Sequence, residues 1–199
     1  AVAGLGWLFI SRNRLARFVS PAIRWLLARF LGVPRCRVIV QNPDDAELLK
    51  KAGVPESRLR MVRGAGVDIN EFSPDKEPPE PICVMMATRI LWDKGVGEFV
   101  DAARRLKQLG TEVRFVLVGE PDIDNPASVP EARLKAWQKE NLVEWLGHCD
   151  DMATAFNTAH VVCLPSYREG LPKVLIEAAA CGKPIVTTDF PGCREVVRD

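Results

Sequence analysis

Residues 81–120 read PICVMMATRILWDKGVGEFVDAARRLKQLGTEVRFVLVGE, and the change of hydrophobic period along this stretch decides the fold. PICVMMAT (81–88) is apolar almost throughout, as a strand buried on both faces must be. VGEFVDAARRLKQLG (96–110) spaces its apolar residues at helical intervals and closes on Gly110, a helix stop. EVRFVLVG (112–119) is a second buried strand, so the whole is a βαβ unit whose strands run parallel. The rhythm continues downstream. A polar loop, EPDIDNPASVP, leads to the helix EARLKAWQKE, the short strand VEWLG (143–147) and the short helix DMATAFNTA. The strand HVVCLP (160–165), the helix GLPKVLIEAAACG and the strand KPIVTTD (183–189) follow. The pattern predicts an α/β protein with a doubly wound parallel sheet covered on both faces.

Upstream the character differs. RNRLARFVSPAIRWLLARFL (12–31) is apolar but studded with arginine and broken at Pro21. RVIVQ then reads as a strand, DDAELLKKAGV as a helix and RLRMVRGAGVDINEFSP as a connecting segment. Proline and acid density peaks in SPDKEPPEP (73–81), the expected interdomain linker. The predicted division is therefore 1–74, the tail of a preceding domain with a basic amphipathic segment, and 75–199, the doubly wound domain.

The overall charge of +1 argues against a dedicated nucleic-acid binder. It hides an asymmetry, for residues 1–43 hold seven arginines and no acid, which leaves 20 Lys/Arg and 26 Asp/Glu, or −6, in the rest. A basic head on an acidic body suggests a membrane surface, with Trp25, Leu26, Leu27, Phe30 and Leu31 dipping into the interface, or else an ordinary helix with a core face. No apolar run reaches membrane-spanning length, and the opening AVAGLGWLFI lacks the charged start of a signal peptide. Cysteines 36, 83, 149, 163, 181 and 193 form no CxxC pair; buried free thiols in a reducing cytosol are expected. The missing initiator methionine and the abrupt close at REVVRD suggest a piece of a longer protein.

In an open parallel sheet, ligands collect beyond the carboxyl ends of the strands. Arg89 and Lys94 lie in the loop after strand 81–88, where a guanidinium fork and an ammonium can clamp a diphosphate, unless Asp93 partners one of them in a solvated loop. In REGLPKVLIE (168–177), Gly170 permits close backbone approach and Pro172 suits the first turn of a helix. Glu169 can face sugar hydroxyls there or cap the helix. Glu177, four residues after Lys173, can read a ligand or form a plain surface pair. GAGVD (64–68) is a glycine-flanked turn able to approach a ligand from the preceding domain.

GAGVD (64–68), ATRILWDKG (87–95), FVLVGE (115–120) and EGLPKVLIE (169–177) together resemble glycosyltransferase family 4. These are retaining nucleotide-sugar transferases of the GT-B fold, and the last stretch carries the family's two glutamates separated by seven residues. The likeness spans roughly residues 35–199 and points toward members that extend bacterial surface glycans, including lipopolysaccharide, on polyprenyl-linked acceptors. It implies a Rossmann-like donor-binding domain preceded by the tail of a second Rossmann-like domain. On that resemblance Arg89, Lys94 and Glu169 are the catalytic candidates: the cations hold the donor's diphosphate and Glu169 contacts its sugar. Glu177 takes the ribose hydroxyls, and Gly170, Leu171 and Pro172 form the helix entrance. Gly119 lines the pocket floor, Gly147 and His148 frame the base, and Gly66 approaches from the other domain.

Departure of the diphosphate builds negative charge that such cations and a helix N-terminus stabilise, so the resemblance implies no metal and no cofactor beyond the nucleoside-diphosphate sugar, expected to be a UDP-sugar. Asp122-Ile123-Asp124 reads as a solvated turn rather than a metal site, and His160 as structural. Implied partners are that donor, a glycan or polyprenyl-linked acceptor and the inner face of the cytoplasmic membrane, giving a cytoplasmic, peripherally bound enzyme. AVAGLGWLF lacks the histidine that many members carry ahead of the basic helix, so no acceptor-side residue is assigned. The chain alone is expected to bind nucleotide without turnover. A nucleotide-sugar epimerase or sugar-phosphate synthase of the same fold, or a non-catalytic membrane module, are the competing readings.

Overall fold

The computed structural model describes residues 25, 26, 28–31, 33 and 36–197. Most of the basic segment read above as a membrane or core helix (12–24, Leu27), with AVAGLGWLF, lies outside the described residues. The first unit pairs β1 (Val38–Val40) in parallel with β2 (Leu59–Met61), joined by helix α1 (Pro43–Lys51). Asn42 starts α1: its side chain accepts from the Asp45 amide, and Pro43 stands in the first turn, where a missing N–H is harmless. Val38, Val40, Leu49, Val54 and Leu59 form a small core of their own. β2 corrects the expectation of a plain connecting segment across RLRMVRGAGVD. Only Leu59 of that three-residue strand is buried, so the hydrophobic signal was too short to read.

Residues 73–79 carry no helix or strand. Beyond them a five-stranded sheet runs β5-β4-β3-β6-β7, every neighbouring pair parallel. Its strands are β3 (Ile82–Ala87), β4 (Val113–Val118), β5 (Glu144–Trp145), β6 (Val161–Leu164) and β7 (Ile185–Thr187). Helices α2 (Val96–Gln108), α3 (Glu131–Lys139), α4 (Met152–Asn157) and α5 (Lys173–Ala180) connect them. The core gathers Met85, Met86 and Leu117 from the strands with Phe99, Leu134, Phe156 and Leu175 from the helices. Each such side chain contributes on the order of 1.5–3 kcal/mol by leaving water.

The chain winds from β3 outward through β4 and β5, then crosses back to place β6 on the other side of β3. Order therefore reverses between β3 and β6, and the loops leaving those two strands border the crevice where an open α/β sheet takes its ligand. Two glycines close this edge. Gly95 adopts φ 81° at the start of α2, and a Cβ there would collide with the Pro165 carbonyl; the exits of β3 and β6 are thus in direct contact. Gly119, at φ 127°, leaves no room for a Cβ beneath the Thr88 carbonyl, which draws the exit of β4 against that of β3.

Candidate active site

A cavity of about 450 Å³ opens at this edge, lined among others by Arg89, Gly119, Asp122, His148, Val174 and Glu177. Arg89, which follows β3, is 63% exposed at its side chain and donates to Asp122 across 3.0 Å. Asp122, in the turn expected from sequence, is also the counter-ion of the first cation. Its neighbour Ile123 does stand in solvent, and the turn is closed by the Asn125 amide on the Asp122 carbonyl.

Lys94 ends the short 3-10 turn Trp92–Lys94. Its ammonium donates to the Glu169 carboxylate at 2.7 Å, the two side chains only 13% and 15% exposed. Both cations therefore pair, but with residues far along the chain, and the Asp93 partnership considered from sequence is not formed. The Asp93 carbonyl accepts the Tyr167 amide instead, a backbone tie between the two loops. Glu169 does not cap α5: that helix starts at Lys173 without a side-chain cap. The Leu175 amide is taken by the Pro172 carbonyl, and no side chain caps the Lys173 and Val174 amides before it, which suits an anion-binding terminus. Pro172 stands at the N-cap, one position before the first turn foreseen.

Glu177 is 8% exposed, lines the cavity and also accepts from Lys173 at 2.7 Å. The pairing holds the Lys173 ammonium above its ordinary pKa. The surface pair weighed from sequence is formed, and the same carboxylate also lines the cavity. Gly147 and His148 follow β5; the Gly147 carbonyl accepts from the Gly119 amide at 2.7 Å, and His148 turns outward to Asp150 at 3.0 Å. Trp145 locks the same corner, its indole N–H donating to the Gly119 carbonyl at 2.8 Å. Gly64 of GAGVD packs against Leu171, while Gly66 has open space above it. His160 is structural: its Nδ1 accepts the Cys83 amide at 3.0 Å, which puts a neutral ring's proton on Nε2.

Three residues that sequence reading passed over border Glu169. Asn42 is fully buried and donates to the Gly170 carbonyl at 2.7 Å; Asp45 pairs with Arg168; and Gln41 lies against Gly170. The QNPDD start of α1 signals a helix cap, but only the fold reveals what else it holds. Cys83, Cys181 and Cys193 are buried as expected, whereas Cys36, Cys149 and Cys163 are half-buried; those described are all free. Among the described residues no group of His, Cys, Asp and Glu is arranged to hold a metal ion.

Cations after β3 and glutamates after β6 thus meet at one edge of a parallel sheet. The chain belongs to the glycosyl transferases group 1 family, whose description matches residues 68–199. It is 32% identical to the N,N'-diacetylbacillosaminyl-diphospho-undecaprenol alpha-1,3-N-acetylgalactosaminyltransferase of Campylobacter jejuni, over 98% of this chain and 53% of that protein. The colanic acid biosynthesis glycosyltransferase WcaL of Escherichia coli, described as putative, is 30% identical over 75% of this chain and 38% of its own length. The chain thus spans about half or less of the length of these relatives. In fold it is similar to Anabaena Alr3699/HepE, solved in complex with UDP, with a TM-score of 0.75 at 22% identity over 90% of this chain and 52% of that one. The expected GT-B architecture is therefore the fold of this protein.

Proposed function

We propose that this chain is the donor-binding part of a retaining glycosyltransferase that takes a UDP-sugar and extends a polyprenyl-linked glycan in bacterial surface-polysaccharide assembly. The observation that carries the proposal is the convergence of Arg89, Gly119, His148 and Glu177 on one cavity, beside the shielded Lys94–Glu169 pair. The UDP bound by the Anabaena protein and the undecaprenol-linked acceptor named for the Campylobacter relative support the choice of donor and acceptor.

In this reading the diphosphate lies between the Arg89 loop and the N-terminus of α5. It competes with Asp122 for the guanidinium and with Glu169 for the ammonium. Release of Glu169 from Lys94 turns its carboxylate to the donor sugar, while Glu177 accepts from the ribose hydroxyls. As the anomeric C–O bond breaks, charge grows on the departing diphosphate, and the two cations, once drawn from Asp122 and Glu169, lower the barrier together with the helix amides and without a metal ion. Glu169 positions the sugar; the proposal does not make it a covalent nucleophile. In this reading the 199 residues, which match about half of the Campylobacter relative, bind donor without turning it over. Membrane association belongs to the same proposal and is supported by the exposure of Trp25, Leu26 and Phe30 in the basic segment.

Calorimetric titration with UDP, GDP and ADP tests it. Wild type binds UDP, and the Arg89→Ala/Lys94→Ala double variant binds it about 100-fold more weakly, the loss expected for two charge-assisted contacts. Equal binding by the variant, or none by wild type, defeats the reading.

A further inference from the structure

The loop carrying Glu169 is gripped from two sides. Within its own unit, the Glu169 amide donates to the Pro191 carbonyl at 3.1 Å, and the carboxylate reaches Lys94. From the preceding unit, α1 holds both chain neighbours of Glu169. Asp45 pairs with Arg168, and the Asn42 side chain donates to the Gly170 carbonyl at 2.7 Å. The same amide group also donates to the Asp45 carboxylate at 3.0 Å, and its oxygen accepts the Asp45 amide at 2.7 Å. Burial makes these contacts matter: Asn42 is fully buried, and the Arg168 and Asp45 side chains are only 17% and 16% exposed.

Simple adhesion between units would not need contacts on residues 168 and 170 in particular. Holding the Arg168 side chain and the Gly170 carbonyl restrains the chain on both sides of Glu169, while the Pro191 carbonyl fixes its amide, so the carboxylate is carried on a tethered backbone. A second ion pair on the same seam, Arg63–Glu195 at 3.2 Å, touches neither neighbour. We propose that Asn42 and Asp45 are positioning residues for Glu169, so that recognition of the donor's sugar, as distinct from its nucleotide, runs through α1 of the preceding unit. The inference rests on the nucleotide-sugar reading above. Its physical basis is that a group misplaced by a fraction of an ångström loses contacts made at hydrogen-bond range.

The test compares the affinity of the chain for UDP with that for UDP-N-acetylgalactosamine, UDP-N-acetylglucosamine, UDP-glucose and UDP-galactose. Asn42→Asp keeps the oxygen that caps α1 but removes the donors to Gly170 and to the Asp45 carboxylate; Asp45→Asn keeps the shape but removes the charge facing Arg168. Circular dichroism checks that each variant is folded, and either one suffices. Both are expected to bind UDP within about twofold of wild type, yet to lose about tenfold in the ratio of the best sugar nucleotide to UDP, as Glu169→Gln does. Arg63→Gln, which loosens the same seam elsewhere, keeps the wild-type ratio. A ratio unchanged in the α1 variants overturns the inference, as does an equal loss in Arg63→Gln or a wild type that distinguishes no sugar nucleotide from UDP. If wild type binds UDP not at all, the underlying nucleotide reading falls first and takes this one with it.

Discussion

Glu177 shows how one side chain serves two neighbours. Its carboxylate is shielded at the cavity wall and neutralised by Lys173 on the outside, so it can accept hydrogen bonds from a ligand without standing as an unpaired buried charge. Replacing it by glutamine keeps the volume but exchanges an acceptor for a donor. The Glu177→Gln variant should bind UDP about tenfold more weakly while its affinity for inorganic diphosphate stays unchanged. Competition titrations with the two ligands measure this directly. An equal loss for both would place Glu177 at the phosphates rather than at the ribose. Arg89 and Lys94 are expected to behave in the opposite way, with diphosphate binding falling alongside UDP binding. The residue types were legible in sequence, but their partners were not: Asp122 and Glu169 stand 33 and 75 positions away from the cations they pair.

At the level of elements, the site exists because strand exits touch. Gly119 ends β4 directly against the exit of β3, with its φ of 127° and the Thr88 carbonyl occupying the space of a Cβ. Gly119→Ala should therefore destabilise by about 3 kcal/mol or more, combining backbone strain with displacement of a buried strand end. Urea unfolding of the two proteins provides the measure, and a loss below about 1 kcal/mol, the ordinary glycine-to-alanine scale, would contradict the close packing. Element types were readable wherever the hydrophobic period ran long, as in α2 with buried Val96, Phe99, Val100 and Ala103. β5 shrank from five expected residues to Glu144–Trp145; beyond it the Leu146 amide still reaches the Leu117 carbonyl, and the chain then turns at Gly147, φ 73°, whose carbonyl takes the Gly119 amide. β2 was missed because two of its three residues are exposed, and pairing with β1 alone makes it a strand.

Across the whole molecule, burial sets a pH limit on stability. Cys163, inside β6, has its thiol pushed from 9.0 to about 11 by desolvation, and burial also raises Cys83, Cys181 and Cys193. A raised thiol pKa means that the unfolded chain loses its proton first as pH climbs. The stability held below pH 9.0 is then lost progressively toward about 11, by up to ~3 kcal/mol for this one group. Urea midpoints between neutral pH and this alkaline window should fall for wild type and fall less for Cys163→Ala. An identical slope in the variant would show that other groups control the alkaline limit.

Local pattern was sufficient for the α/β class, the alternation of elements and the two motif-bearing loops, since hydrophobic period and turn chemistry act within a few residues of themselves. The order in which the strands lie, the pairing of Lys94 with Glu169 and Arg89 with Asp122, and the grip of Asn42 and Asp45 on the Glu169 loop came only with the tertiary structure. Those contacts join residues between 33 and 128 positions apart. Nothing in local composition specifies which distant carboxylate a cation meets; that is decided when the crossover from β5 to β6 brings two strand exits to the same edge.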